Sequence, residues 1–428
     1  KENNYLEEED ENIEYGFRRA YKDARKNART IRFIDSVQLF SSSLQKSAET
    51  MEIEDDKGDF DINKMAPKAE MRAAGNWEEM KEYNHQDSKL LYNIVTKFED
   101  IVNEAGANLK ETLASTSLDL FRREYQETTY RHPDGKPHEL CDNSRFGGLT
   151  AAFVGLEHGQ YTTDEHIVMK IDVNSHYPNE MKEGIPSGND MVYFTDDDCK
   201  MDFINDYEGV SKVVVTVPEN ELHPILPTKE DNKLHFATGT FRGSWTHIEL
   251  RYALELGYEI HKVEEQVVTT DEMDELSEFV DDVYDKRLTA KNTGNQAFEA
   301  VLKLLLNAQY GKWCQNDIAV WQQYGPFEKR PDGLSIDDVK TDYIINDAGD
   351  YIPEEKVKVD EIKLNNNHPV VGSYITAQGR IKLFKSIKAV HNAGGKVIYC
   401  DTDSMVTTGL TQDDLNGVLE LDEKKLGA

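Results

Sequence analysis

Three groups of residues in this chain have types and spacings that could do chemistry. The first is Asp401-Thr402-Asp403-Ser404. Val397, Ile398 and Tyr399 before it, and residues 405–408 after it, favour extended backbone, so the four residues predict a hairpin turn between two strands. Side chains two apart on an extended backbone point the same way, which would crowd the Asp401 and Asp403 carboxylates at the hairpin tip. Like charges so placed oppose each other unless a cation sits between them. Mg²⁺ suits them, being held by a carboxylate or two plus substrate phosphates. The second group is Asp172, which ends a buried-strand pattern over residues 166–173 and runs into Asn174-Ser175-His176-Tyr177-Pro178. The third is Lys303 and Asn307, one helical turn apart, with Tyr310 at i+7. Lysine brings a mobile point charge to phosphate, and tyrosine a flat surface on which a base can stack. Three carboxylates from two neighbouring strands can hold two divalent ions about 3.5–4 Å apart. Together with a lysine-bearing helix, that chemistry is nucleotidyl transfer by two metals.

The elements that must position these residues are legible in outline. Residues 30–40 read as a buried strand followed by a turn, 43–51 as a short helix and 52–61 as an acidic loop. Residues 77–102 carry Leu90, Leu91, Ile94, Val95 and Phe98 at helical spacing. Within that helix, Tyr83 and Asp87 share a face at i, i+4. Residues 113–142 read as a linking region. Arg145-Phe146-Gly147-Gly148 predicts a tight turn from its glycines. Residues 183–240 read as a β-like insertion with a strand over 210–217, and residues 245–256 as an amphipathic helix. Residues 271–309 predict two helices broken near 292–294, with Gly311 placed to end the second. Residues 314–368 read as a polar, partly β-like insertion, and 370–390 as a strand followed by a helix.

Composition bounds the rest. The 428 residues are 38% apolar, enough for two or three domains with ample core. No run of 18 apolar residues exists, so the sequence predicts no membrane span, and no signal peptide is visible. The four cysteines are far apart, which argues against a zinc site or disulfide framework and fits a cytoplasmic, reducing setting. Net charge is −32, which taken as a whole repels nucleic acid. The acid falls in runs, as in 7–14, 52–61, 196–198 and 271–282, that read as surface, and one reading is adaptation to high salt. There is no phosphate-binding glycine loop, no dinucleotide fingerprint and no nucleophile elbow.

Taken in order, the motifs resemble those of the protein-primed family B DNA polymerases of bacteriophages, viruses and linear plasmids. Asp172-Val173-Asn174-Ser175-His176-Tyr177-Pro178 resembles motif A, with His176 where leucine is usual. Lys303 to Gly311 resembles motif B, with Ala308 where serine is usual. Tyr399-Cys400-Asp401-Thr402-Asp403-Ser404 matches motif C without departure. Arg145-Phe146-Gly147-Gly148 resembles the Y-x-G-G element, with Arg145 for tyrosine. Tyr83 and Asp87 resemble the third motif of a 3′–5′ exonuclease, and residues 422–427 resemble a segment just after motif C.

The resemblance implies an α+β fold with the palm and fingers of a right-handed polymerase, preceded by part of a ribonuclease-H-like exonuclease domain. It implies boundaries at 1–115 (exonuclease), 116–182 (linker and first palm segment), 183–270 (first insertion), 271–315 (fingers), 316–367 (second insertion) and 368–428 (second palm segment). The activity implied is template-directed transfer of deoxynucleotides to a 3′-hydroxyl or to a priming protein, with two Mg²⁺, for which Mn²⁺ can substitute. Asp172, Asp401 and Asp403 would be catalytic, with Asp172, Asp403 and the Val173 carbonyl as metal ligands. Tyr177 would be the steric gate under the sugar. Lys303, Asn307, Tyr310, Gly311 and Lys291 would bind the nucleotide. Ser175, Phe146, Gly147, Gly148 and Thr402 would contact DNA, and Lys46 would join Tyr83 and Asp87 in the exonuclease region. Partners implied are primer–template DNA, dNTPs and a terminal priming protein. The chain starts with Lys1 and lacks the first two exonuclease motifs and the later thumb, so it is expected to be a piece of a longer protein with an incomplete exonuclease. A reverse transcriptase would usually show two adjacent aspartates where Thr402 intervenes. A degenerate polymerase-like scaffold would not be expected to keep Asp172, Asp401, Asp403 and Lys303.

Overall fold

The computed structural model describes residues 34–40, 42–55, 57–131, 133–153, 168–182, 184–230, 233–315, 318–324, 339–345, 351–362, 367–422 and 424–428. The chain divides into two compact units, Lys1–Ser42 and Ser43–Ala428. In the first, the strand expected to begin at residue 30 lies partly outside the described residues, and the turn expected after it falls within them. Where it is described, the chain forms a 3₁₀ turn, Ser36–Gln38. The Asp35 side chain accepts from the Val37 amide at 3.0 Å, and this local bond competes with extended backbone.

The second unit is built on two antiparallel four-stranded sheets. One runs in the order Thr150–Ala152, Lys396–Asp401, Ser404–Thr408, Val168–Asp172. The other runs Val192–Thr195, Glu259–Thr269, Glu208–Val217, Gly239–Thr246. The helix Pro369–Asn392 joins them. Sequence reasoning split this stretch into strand and helix, but it is helical throughout, with proline in its first turn. It is buried on most sides, so its β-branched run carries no helical periodicity to read.

Residues 183–270, expected as an insertion, are part of the main core. Trp245, Leu250 and Tyr258 belong to the same apolar cluster as Phe384, Val397 and Met405. Polar ties cross the same seam. The Gly209 amide donates to the Tyr374 hydroxyl at 2.6 Å, and that hydroxyl lies 2.8 Å from Glu208 Oε2. Arg380 and Glu249 form an ion pair at 2.6 Å with each side chain 1% exposed. Such a pair is tolerable only when its remaining hydrogen-bonding capacity is used. Here Arg380 also donates to the carbonyls of Phe146 (2.8 Å) and Gly147 (2.6 Å). Glu249 closes a capping box with Thr246 at the start of the helix His247–Glu255.

The long helix Trp77–Glu104 forms as its spacing predicts, burying Leu90, Ile94 and Phe98. The region 113–142 is more than a linker. The helix Leu113–Glu124 is capped by Thr112 and places Phe121 edge-on to Phe279 and Trp313. The helices Asp274–Thr293 and Gln296–Trp313 break as expected, at Gly294 with φ +80°. Gly311 does not end the second helix. Its position faces open space, and burial of Trp313 at 2% exposure carries the helix past it. Residues 318–324, 339–345 and 351–362 form a three-stranded antiparallel sheet with Tyr351–Ile362 at its centre.

Candidate active site

The site lies where the first sheet meets the helix Gln296–Trp313. Antiparallel pairing sets Asp172 opposite Ser404 and Ser404 opposite Asp401. The Val173 amide donates to the Asp403 carbonyl at 2.8 Å, which fixes the ends of both strands together. A cavity of about 360 Å³ opens here. Asp172, Val173, Tyr177, Lys303, Asn307 and Asp403 all line it. Lys303 and Asn307 are exposed on one face of their helix while Leu302, Leu305 and Leu306 are buried on the other.

Asp401 is placed differently from the sequence expectation. The rule that residues two apart share a side requires an extended residue between them. Thr402 instead has φ +55°, and the Asp403 amide turns back to the Asp401 carbonyl at 2.6 Å, a three-residue turn. Asp401 therefore points toward the outer strand. Its Oδ1 accepts from Thr150 Oγ1 at 2.9 Å and from Thr402 Oγ1 at 3.2 Å, and its Oδ2 lies 3.4 Å from the Tyr399 hydroxyl. The carboxylate pair of the cavity is Asp172 with Asp403. Partial burial raises the Asp403 carboxyl above the usual range, and the negative charges of Asp172 and then Asp401 add to this. Among the described residues, no three histidine, cysteine or acidic side chains converge as a metal cluster.

Of the aromatic residues singled out in sequence, Tyr177 lines the cavity and Tyr310 packs behind it. Tyr177 and Tyr310 stand 4.3 Å apart between centroids, tilted by 32°. Burial pushes the Tyr177 phenol up to about 12 and raises Tyr310 as well, so both stay neutral at physiological pH. His176, beside them, is buried and faces Gly379, where a Cβ would fall 2.8 Å from its Nε2. Burial, reinforced by Lys382, lowers its pKa to about 4, so this histidine is a neutral packing group.

The glycine element serves the hairpin tip by close approach. Residues 145–149 form no turn, so the expected tight turn is absent, and neither Gly147 nor Gly148 has positive φ. A Cβ on Gly148 would fall 2.7 Å from the Thr402 side chain, and the Thr402 amide donates to the Leu149 carbonyl at 2.8 Å. Phe146 is buried and packs under the Lys229 and Arg380 cations. Arg145 donates to the Cys314 carbonyl and pairs with Asp142 at 2.7 Å. Ser175 adopts a left-handed φ of +52°. Lys291 is exposed in the last turn of Asp274–Thr293 and is not part of the cavity wall. Gly311 is likewise exposed and outside that wall.

Tyr83 and Asp87 come together at a distance from this cavity in sequence. Asp87 Oδ1 accepts from the Gly58 amide at 3.0 Å, and a hydrogen bond to Asp87 raises the Tyr83 phenol. Gly58 lies against the Tyr83 ring, and Phe60 lies 5.7 Å from it. The pair thus anchors the loop expected over 52–61. Lys46 lies on the short helix Leu44–Thr50, where its amide is capped by Ser43.

Sequence reasoning missed Arg380, Asn174 and Arg287. For Arg380 no signal was available, since it is one of four basic residues in 370–390, with Lys382, Lys385 and Lys388.

Comparison with solved structures shows the fold to be that of a type B DNA polymerase. The Phi29 DNA polymerase complexed with primer–template DNA and incoming nucleotides superposes with a TM-score of 0.64 at 19% identity, covering 92% of this chain and 64% of that one. The same polymerase with single-stranded DNA gives 0.61 at 20% identity, covering 92% and 63%. Residues 63–393 match the family described as DNA polymerase type B, organellar and viral, and the chain belongs to that family. The DNA-directed DNA polymerase of Enterobacteria phage PRD1 is 24% identical over 414 residues, covering 94% of this chain and 65% of that protein. A probable DNA polymerase of Podospora anserina is 25% identical over 341 residues, covering 74% and 27%. The chain thus spans just under two thirds of the length of its phage relative. The family expected from the motifs is borne out.

Proposed function

We propose that this chain carries the polymerising centre of a DNA-directed DNA polymerase, which joins deoxynucleotides to a primer 3′-hydroxyl under the direction of a template. The observation that carries this reading is one cavity lined both by the carboxylates of Asp172 and Asp403 and by the exposed Lys303–Asn307 face. The hydroxyl oxygen bonds to the α-phosphorus, its proton leaves, and the bond to pyrophosphate breaks. Lys303 would hold the triphosphate, and Tyr310 would support the base. Tyr177 would pack under the sugar and exclude a 2′-hydroxyl.

The donor set fits divalent cations. Asp172 and Asp403 line the cavity together, with the Val173 carbonyl next to Asp172 in sequence, and the Asp403 carboxyl is raised first by burial and then by the charge of Asp172. Mg²⁺ held there would supply Lewis acidity to the attacking hydroxyl and charge neutralisation to the leaving pyrophosphate, and Mn²⁺ would substitute. With substrate phosphates completing the shell, two carboxylates and a carbonyl suffice. Asp401 then acts from outside the cavity, orienting the hairpin tip through Thr150.

We assign the first sheet and helix Pro369–Asn392 to the palm and the helix pair over 274–313 to the fingers. The insertion expected over 183–270 would then be one that packs on the palm, since Trp245, Leu250 and Tyr258 share its apolar cluster. The sheet over 318–362 would be the surface for a priming protein or DNA, and the Tyr83–Asp87 face part of an exonuclease region. Templated extension of a labelled primer tests the central claim. Asp403→Asn is expected to lose at least about a hundredfold in rate with an unchanged unfolding midpoint, as removal of a group acting on the transition state does. Near-normal extension by that variant would sink the assignment.

A further inference from the structure

The turn Asn174–Ser175 lies between Asp172 and Tyr177, so its shape fixes where both side chains stand. It is an unfavourable shape, because Ser175 holds a left-handed φ of +52°, which residues other than glycine rarely adopt. Such a conformation persists only where its surroundings over-determine it, and here two elements do.

From one side, residues 424–428 clasp the backbone. The Asn174 amide donates to the Ala428 carbonyl at 3.0 Å, and the Gly427 amide donates to the Asn174 carbonyl at 2.8 Å. From the other side, the helix Asp274–Thr293 presents Tyr284 and Arg287, which share a face at i, i+3. Asn174 Nδ2 donates to the Tyr284 hydroxyl at 2.9 Å, and that hydroxyl donates to the Lys424 carbonyl at 3.0 Å. Arg287 Nη1 donates to Ser175 Oγ at 3.2 Å. Its Nε pairs with Glu299 Oε1 at 2.7 Å. Arg287 is 9% exposed and packs 5.6 Å from the centre of the Tyr284 ring. Glu299 is one turn before Lys303 on the same helix.

We propose that Arg287 is a positioning residue that locks the Asp172–Tyr177 turn to the helix bearing Lys303. One planar guanidinium bonds both elements at once, so the elements bearing Asp172 and Lys303 are held in one frame. A lysine has a single point of charge and cannot reproduce the two-sided bond. The geometry also explains Ser175, expected from sequence to contact DNA. Its hydroxyl is engaged inside the protein, where it reports the position of the turn.

The inference rests on the polymerase reading for its kinetic consequence but not for the lock itself, and two measurements separate them. Amide hydrogen exchange on the ligand-free protein tests the lock. In Arg287→Ala, amides of residues 174–177 are expected to exchange at least about tenfold faster, while those of the strand Glu208–Val217 keep their rates. Unchanged exchange at 174–177 overturns the proposal. The second measurement is the ratio of deoxynucleotide to ribonucleotide incorporation, which loss of folded protein alone does not move. Arg287→Ala is expected to raise the KM for the deoxynucleotide and to lower this selectivity by about tenfold, because Tyr177 is released with its turn. Arg287→Lys should behave like Arg287→Ala. Full rescue by lysine, or unaltered selectivity in both variants, would reduce Arg287 to a structural ion pair. If the unmodified chain extends no primer at all, the polymerase reading falls while hydrogen exchange still decides the lock.

Discussion

At the scale of the residue, steric fit and charge dominate the site. Tyr177 packs against Tyr310 with its hydroxyl held neutral, so as the proposed gate it would act by shape. Tyr177→Val is expected to admit ribonucleotides, raising their incorporation at least about tenfold relative to deoxynucleotides. Competition between labelled ribo- and deoxynucleotides on one template measures this, and an unchanged ratio would take Tyr177 out of the gate. Gly148 is a second sharp case. Gly148→Ala puts a methyl group 2.7 Å from Thr402 and must displace the hairpin tip carrying Asp403. Misplacement of about 1 Å near reacting groups can cost a hundredfold, so a loss of about that size in extension rate is expected. Adding Thr402→Gly removes the obstacle and suits the positive φ there, so the double variant should recover most of the rate. The aspartate types and their spacing were legible in the sequence, but the side on which Asp401 falls was not. It depends on one dihedral at Thr402, and nothing in a Thr between two Asp announces a left-handed residue.

At the scale of the element, the ion pair Arg380–Glu249 binds three pieces of chain distant in sequence: the helix Pro369–Asn392, the start of His247–Glu255 and the loop at Phe146-Gly147. Arg380→Met leaves Glu249 charged and buried without its partner, at a cost of about 3–5 kcal/mol. Arg380→Met with Glu249→Leu should cost clearly less, because no charge remains stranded. Denaturant midpoints of the single and double variants decide this, and equal losses would refute it. Elements with one clear face were readable: the helix Trp77–Glu104, the break at Gly294 and the strand Glu208–Val217. Elements buried on most sides were not, and 370–390 was split because its apolar run fits a strand as well as a helix. Residues 113–142 were misjudged for another reason. Their contacts, such as Phe121 on Trp313, lie nearly two hundred positions away and leave no local pattern.

At the scale of the whole molecule, a net charge of −32 makes stability sensitive to the solvent. Self-repulsion is screened by salt, so the unfolding midpoint should rise as NaCl increases toward about 1 M, and a falling midpoint would contradict the surface reading of the acidic runs. Acidity acts through His247 as well. Its Nδ1 lies 2.7 Å from the Tyr207 carbonyl and its Nε2 2.8 Å from Ser211 Oγ, so it is a neutral ring, and burial lowers its pKa to about 4. The unfolded chain takes up the proton first, near the ordinary value of 6.5. The stability from neutral His247 is therefore whole above about pH 6.5 and declines as pH falls toward 4. The loss is roughly 2 kcal/mol between pH 7 and 5. Urea titrations at both pH values should show a shallower decline in His247→Gln, and parallel declines would exclude His247 as a source. The shared core of the two sheets bears also on how the chain is made. Trp245 and Met405 enclose one apolar cluster, yet a ribosome adding about 5–20 residues per second needs about ten to thirty seconds to travel from one to the other. Through that interval the growing chain carries an open seam of indole, valine and leucine. That core can close only once Met405 has left the ribosome.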